Sequence, residues 1–226
     1  MTEQQKIPAW DLPTRLFHWL LVALIASAYL TYKFGDVTMT YHMWNGYAIL
    51  TLCLYRLLWG LVGSNTARFC QFIKGPKAIF SYLKSAKSAQ PQKFLGHNPA
   101  GALMVLALLA LIITQGSMGL FTTDDIIVEG PLVFLASGDF VSLAGSIHRI
   151  GYWVILGFAG LHVLAALFYV FVKKDNLIRA MIDGKKAKHT VPEGQRLQAR
   201  SPLLALVCLL ISAGTVYVVV NISAYL

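Results

Sequence analysis

The sequence predicts an all-α integral membrane protein, and three observations carry that reading. Of the 226 residues, 57% are hydrophobic and only 13% are charged, a balance that separates the chain from soluble globular domains. Five apolar runs, at roughly 14–32, 42–62, 101–122, 148–172 and 202–222, each reach the about 20 residues that a helix needs to cross a bilayer. The charges are sorted by loop. These features predict five spanning helices in a single membrane domain over 1–226.

The net charge of +9 would suit nucleic acid if it were spread over one surface, but it is not. Segment 63–98 carries Arg68, Lys74, Lys77, Lys84, Lys87 and Lys93 and no acid, and segment 173–200 carries eight bases against Asp175, Asp183 and Glu193. Between the other helices, 33–41 has only Lys33 and Asp36, and 123–147 has Asp124, Asp125, Glu129 and Asp139 with no base. This is the positive-inside pattern. It predicts a cytoplasmic N-terminus and two cytoplasmic basic loops, with the acidic loop and the C-terminus on the opposite side. Membrane lipid is the expected surrounding, and no nucleic-acid role is expected.

Taken in order, the first run follows Asp11 and Thr14, both candidate helix caps, with Pro13 near the start where a missing N–H is tolerated. "ASA" at 26–28 imitates a signal-peptidase site, yet the leader "MTEQQKIPAWDLPT" holds one Lys against two acids, so the run is expected to be retained. After the second run, "FCQFIKGPKAIFSYLKSAK" alternates aromatic and aliphatic residues with lysines. It predicts a short amphipathic segment on the inner membrane surface, interrupted at Gly75 and Pro76. "SAQPQKF" reads as a linker, and "GHNPAGAL" at 96–103 opens the third run. Ser201 and Pro202 open the fifth. Cys53, Cys70 and Cys208 show no C-x-x-C spacing, which argues against a disulfide framework, a zinc site and covalent c-type haem. They read as small apolar side chains in packed helices.

The histidines carry the chemistry. His97 and His189 lie in or beside basic loops, whereas His18, His42, His148 and His162 lie on apolar runs. Ionisable residues there are costly and mark functional sites. With the helix directions above, His18 is near the inner end of the first helix and His42 near the outer end of the second. His148 begins the fourth at its outer end, and His162 follows 14 residues later, roughly 21 Å deeper and on nearly the same face. The depths pair His42 with His148 and His18 with His162. Two stacked histidine pairs point to two bis-histidine b-type haems. For any one histidine, a hydrogen bond to a neighbouring helix is the competing reading.

Arginines and glycines add to the pattern. Arg15 and Arg56 suit the propionates of the inner haem, and Arg149, with Lys33 near it in depth, suits those of the outer one. Headgroup-level placement of Arg15 and Arg149 is the alternative. Gly46 follows His42 by one turn, and Gly151, Gly157 and Gly160 lie on the fourth helix, where small residues admit either a macrocycle or a neighbouring helix.

"WDLPTRLFHW" at 10–19, "YHMWNGYAIL" at 41–50, "RLLWGLVGSNTARF" at 56–69, "LGHNP" at 95–99 and "HRIGYWVILGFAGLHVLAALFYVFVKKDNL" at 148–177 resemble the bacterial di-haem cytochrome b proteins. That family is grouped with the cytochrome b subunits of nickel-iron hydrogenases and, more distantly, bacterial cytochrome b561. The likeness covers about residues 8–185. It implies a four-helix haem-binding core, with His18, His42, His148 and His162 at the ligand positions and the fifth helix at about 202–222 outside it. It further implies residence in the bacterial inner membrane and electron exchange between the quinone pool and a periplasmic redox partner, such as a c-type cytochrome or a hydrogenase. No bond-making side chain is then required. Two other readings follow from the same residues: superoxide oxidation coupled to ubiquinone reduction, which the acidic outer loop disfavours, and a membrane anchor for a hydrogenase-like complex. The quinone site is open between His97, Arg15 and Arg56 on the inner side and Gln115, Ser117 and Thr122 on the third helix.

Overall fold

The computed structural model describes residues 5–35, 39–85 and 92–225, so Asp36, Lys87 and most of the 88–94 linker lie outside the described residues. The first two long helices are α1 (Leu12–Phe34) and α2 (Thr40–Val62), followed by two short ones, α3 (Phe69–Phe72) and α4 (Pro76–Ser85). Then come α5 (Pro99–Gly119), α6 (Gly138–Phe171), α7 (Leu177–Asp183) and α8 (Pro202–Val220). Among the described residues, α1, α2, α5, α6 and α8 are long and apolar enough to cross a membrane. The chain is an all-α, multi-pass membrane protein.

Local chemistry sets the helix ends. Asp11 caps α1 by accepting from the Thr14 N–H at 2.8 Å, while Asn98 caps α5 by accepting from Gly101 at 2.7 Å and Ser201 accepts from Leu203 at 3.2 Å. Thr14, the other candidate cap, is buried inside the first turn instead. The amphipathic segment breaks at the expected place, with Pro76 opening α4.

Three expectations need correction. The fourth spanning helix begins at Gly138 rather than at His148. Ser137 Oγ accepts from the Phe140 N–H at 3.4 Å, and Asp139 in the first turn complements the helix dipole, so an acidic, Gly-containing stretch is helical. His148 therefore lies ten residues inside α6. The third spanning helix ends at Gly119, leaving Thr122 in the following turn, where its hydroxyl donates to the Gly119 carbonyl at 2.9 Å. Cys70 is exposed, unlike the buried Cys53 and Cys208.

The fold contains two compact units, each formed by several stretches of chain. The helix unit comprises Phe17–Leu57, Leu108–Gly157 and Leu206–Leu226, and the loop unit comprises Met1–Leu16, Leu58–Ala107 and Phe158–Ala205.

Within the helix unit, α1 meets α2 where the Asn45 amide bonds the Ser27 hydroxyl. Tyr29 of α1 stacks on Tyr152 of α6 at 5.7 Å and an interplanar angle of 6°. Between α5 and α2, Gly116 leaves no room for a side chain, since a Cβ would stand 2.7 Å from Leu50.

The loop unit is built differently. β1 (Lys6–Pro8) and β2 (Lys185–Ala187) form a two-stranded antiparallel ribbon, with Ile7 opposite Lys186; three-residue strands of such composition carry no strand signal. The Gly184 carbonyl accepts from the Ala9 and Trp10 N–H groups at 2.8 and 3.1 Å. Gly184 ends α7 in the left-handed region at φ 78°, and a Cβ there would stand 2.8 Å from the Trp10 carbonyl oxygen. Ala9, Trp10, Leu95, Ala180 and Val191 form a small apolar core beneath the ribbon. Lys186, whose side chain is only 5% exposed, lies 3.1 Å from Asp175 and donates to the Phe94 carbonyl at 3.2 Å. The segment leading into α8 is tied to the end of α2, because Ser64 Oγ accepts from the Arg200 N–H at 3.1 Å and Asn65 Oδ1 accepts from the Gln198 N–H at 2.9 Å.

Candidate cofactor site

Two of the four membrane histidines meet inside the helix unit. His42 on α2 and His148 on α6 face each other with ring centroids 6.2 Å apart and planes at 88°. Each ring is held by a main-chain carbonyl of a third helix. His42 Nδ1 lies 3.0 Å from the Ala28 oxygen on α1, and His148 Nδ1 lies 2.9 Å from the Gln115 oxygen on α5. A carbonyl only accepts, so both contacts require the proton on Nδ1, and in the neutral imidazole Nε2 is then the nitrogen with the free lone pair.

This is the tautomer a metal needs, with the second partner that ligating histidines usually have. A metal–imidazole bond of about 2 Å and roughly 1.1 Å from nitrogen to ring centre place two opposed imidazole centroids about 6.2 Å apart. The observed separation fits that spacing. A small-residue lining makes the arrangement possible. A Cβ at Gly119 would stand 2.9 Å from His148 Cε1, so α5 needs glycine there for the ring to take its position. Gly46, one turn beyond His42, has nothing within 4 Å of where its Cβ would be. The donor set is two imidazoles. Among the described residues no group of three or more His, Cys, Asp or Glu side chains is placed to hold a metal ion; two imidazoles are a donor set that an iron carried in a macrocycle accepts.

The other expected site residues are distributed as follows. His18 is half-buried on α1 in the helix unit, its ring edge-on to Trp19 at 5.0 Å. His162 is half-buried on α6 in the loop unit, 14 residues along the helix from His148. Arg56 is 3% exposed on α2. Arg15 donates to the Ile182 carbonyl, whereas Arg149 is exposed and donates to the Ser146 hydroxyl at 3.3 Å. Gly157 and Gly160 border open space. His97 sits outside the spanning helices, its ring 4.7 Å from both Trp10 and Phe72.

Sequence reasoning missed Ala28 and Gly119, and weighed Gln115 only as a polar atom for a quinone. Main-chain carbonyls leave no trace in residue identity. The available signal was Gln115, the largest polar side chain of α5, at a depth where a polar group needs a partner.

The family model described as prokaryotic cytochrome b561 matches residues 9–184. The chain is 24% identical over 215 residues to the probable Ni/Fe-hydrogenase 1 B-type cytochrome subunit of Escherichia coli (strain K12), covering 79% of this chain and 89% of that relative. It is 21% identical over 234 residues to the probable Ni/Fe-hydrogenase B-type cytochrome subunit of Rhizobium leguminosarum bv. viciae, covering 81% and 90%. The corresponding protein of Azotobacter chroococcum mcd 1 is 23% identical over 216 residues, covering 80% and 89%. With five spanning helices and a matched stretch that includes all four membrane histidines, this chain belongs to the prokaryotic cytochrome b561 family.

Proposed function

We propose that the chain is a di-haem b-type cytochrome of the bacterial inner membrane that passes electrons between the quinone pool and a redox partner on the periplasmic side. The observation that carries the reading is the His42–His148 pair, with its perpendicular rings 6.2 Å apart and both Nδ1 atoms committed to carbonyls. In this reading His42 and His148 hold the outer haem and His18 and His162 the inner one, within a four-helix core of α1, α2, α5 and α6 with α8 outside it. Haem bound there supplies a one-electron iron couple.

The chain's own residues do the rest. Apolar helices exclude water from the histidine pair, and the carbonyls fix ring tautomer and orientation. Arg56 and Arg15 supply positive charge for the inner propionates, and Arg149 and Lys33 for the outer ones. The names of the relatives support a Ni/Fe-hydrogenase-like partner, and the charge sorting of the loops is what places it on the outer side in this reading. The loop between α5 and α6 supplies acids to steer a basic partner surface: Asp124, Asp125 and Glu129 are exposed, and Asp124 pins the loop by accepting from the Ile126, Ile127 and Val128 N–H groups at 3.0, 2.9 and 2.8 Å.

Two measurements test the proposal. Ubiquinol or menaquinol added anaerobically to the purified, haem-loaded protein is expected to raise the reduced b-type α-band; no reduction by either quinol, in detergent or in proteoliposomes, contradicts it. Replacing Asp125 and Glu129 by Asn and Gln is expected to slow electron delivery to a basic c-type cytochrome several-fold at low salt and to flatten its salt dependence. An unchanged salt dependence removes the steering role.

A further inference from the structure

α5 carries none of the four histidines, yet it makes a two-point contact with one of them. Gln115 engages His148 twice. Its main-chain oxygen takes the His148 Nδ1 proton at 2.9 Å, and its side-chain amide donates back to the His148 main-chain carbonyl at 2.8 Å. The two bonds close a ring between α5 and α6 that fixes their register at the imidazole. Glycines clear the way on both sides. A Cβ at Gly151 would stand 2.3 Å from Gln115 Oε1, and one at Gly119 would meet the His148 ring. His42 has only half of this arrangement: its Nδ1 contacts the Ala28 carbonyl, and alanine has no side-chain donor to return the bond.

We propose that Gln115 is a positioning residue for the haem held by His42 and His148, locking the His148 tautomer and setting the redox potential of that haem. The inference rests on the ligand assignment proposed above. A short Nδ1–H···O=C bond makes the imidazole a more basic ligand, which favours ferric over ferrous iron and holds the potential down. The main-chain carbonyl cannot be removed by mutation, but the side-chain amide that holds it in register can. Loosening the ring lengthens the carbonyl contact and raises the potential. Outer-shell partners of ligating histidines are typically worth 10–100-fold in metal affinity. A tenfold change in the ferric-to-ferrous affinity ratio corresponds to about 59 mV for one electron.

The experiment is a potentiometric titration followed by low-temperature EPR on the purified full-length protein, comparing wild type with Gln115→Met and Gly151→Ala. The two variants break the same ring independently: one deletes the amide, and the other crowds it off α6 without touching residue 115. Both are expected to raise the potential of one haem by an amount equivalent to about tenfold, to shift that haem's low-spin EPR signal, and to leave the second haem unchanged. Loss of one haem from both variants, with the other retained at its wild-type potential, supports the same role. Two unshifted potentials and an unchanged EPR spectrum in both variants overturn it, as does an equal shift of both haems. Wild-type protein that binds no haem would instead sink the ligand assignment, which the haem count of the starting material reveals before any variant is made.

Discussion

The helix unit and the loop unit use polar residues in opposite ways. In the helix unit two imidazoles stand close together, and each Nδ1 is engaged by a main-chain carbonyl. In the loop unit several polar side chains pair with one another. Lys186 pairs with Asp175 and Phe94, the Tyr82 hydroxyl bonds that of Tyr169, and Asn98 donates to Tyr169 at 2.8 Å. Under the ligand assignment proposed above, the difference separates groups that receive a cofactor from groups that hold the chain together. Burial alone does not distinguish them, since Arg56 and Lys186 are about equally buried.

The comparison breaks most visibly at Gly119. Gly119→Val pushes a branched side chain into the space of the His148 ring, and the expected result is loss of one of the two haems, read as a halved haem-to-protein ratio. Full retention of haem would mean that the ring does not need its observed position. In the loop unit the largest effect is expected at Lys186. Lys186→Ala leaves the partly exposed Asp175 without its cation and should lower stability by about 1–3 kcal/mol, between the cost of an exposed pair and that of a buried one. Thermal unfolding in detergent reads this loss, and the haem-to-protein ratio should stay at its wild-type value. If haem is lost as well, the division of labour between the two units fails.

The smallest effect concerns the α5–α6 loop. Hydrogen bonds from the Val128, Ile126 and Ile127 N–H groups hold the Asp124 carboxyl below its ordinary value. Because the folded value is the depressed one, the loop's contribution is complete above the ordinary Asp range, near 3.9, and is lost only as pH falls through the lower folded value. Amide exchange at Ile126, Ile127 and Val128 should therefore stay protected relative to Asp124→Asn down to about pH 4, and protection should disappear at more acidic pH. Equal exchange in wild type and variant at neutral pH would show that the turn does not depend on the charge.

Much of this was legible in the residues. Apolar run length gave the five spanning helices, and depth gave the pairing of His42 with His148, because both follow from rise per residue and bilayer thickness. The first ten residues of α6 were not legible, since "GDFVSLAGSI" combines an acid and two glycines that read as loop until Ser137 and Asp139 are recognised as helix-start chemistry. The β1–β2 ribbon joins residues almost 180 positions apart through strands of three residues, too short for any alternation to register. Lys186 is one of the eight bases of segment 173–200, and only its tertiary partners reveal it as buried. The supports of the histidine pair, Ala28 and Gln115 above all, act through carbonyl oxygens that every residue possesses.

The central claim is that four histidines form two ligand pairs, and counting haem tests it most directly. The measurement is a pyridine haemochrome assay on the purified protein and on paired His→Ala variants. The account predicts two b haems per chain in wild type, one in the His42→Ala/His148→Ala double variant, one in His18→Ala/His162→Ala, and none in His42→Ala/His162→Ala. A wild type with one haem or none, or a His42→Ala/His162→Ala protein that keeps a haem while His42→Ala/His148→Ala loses both, would contradict it.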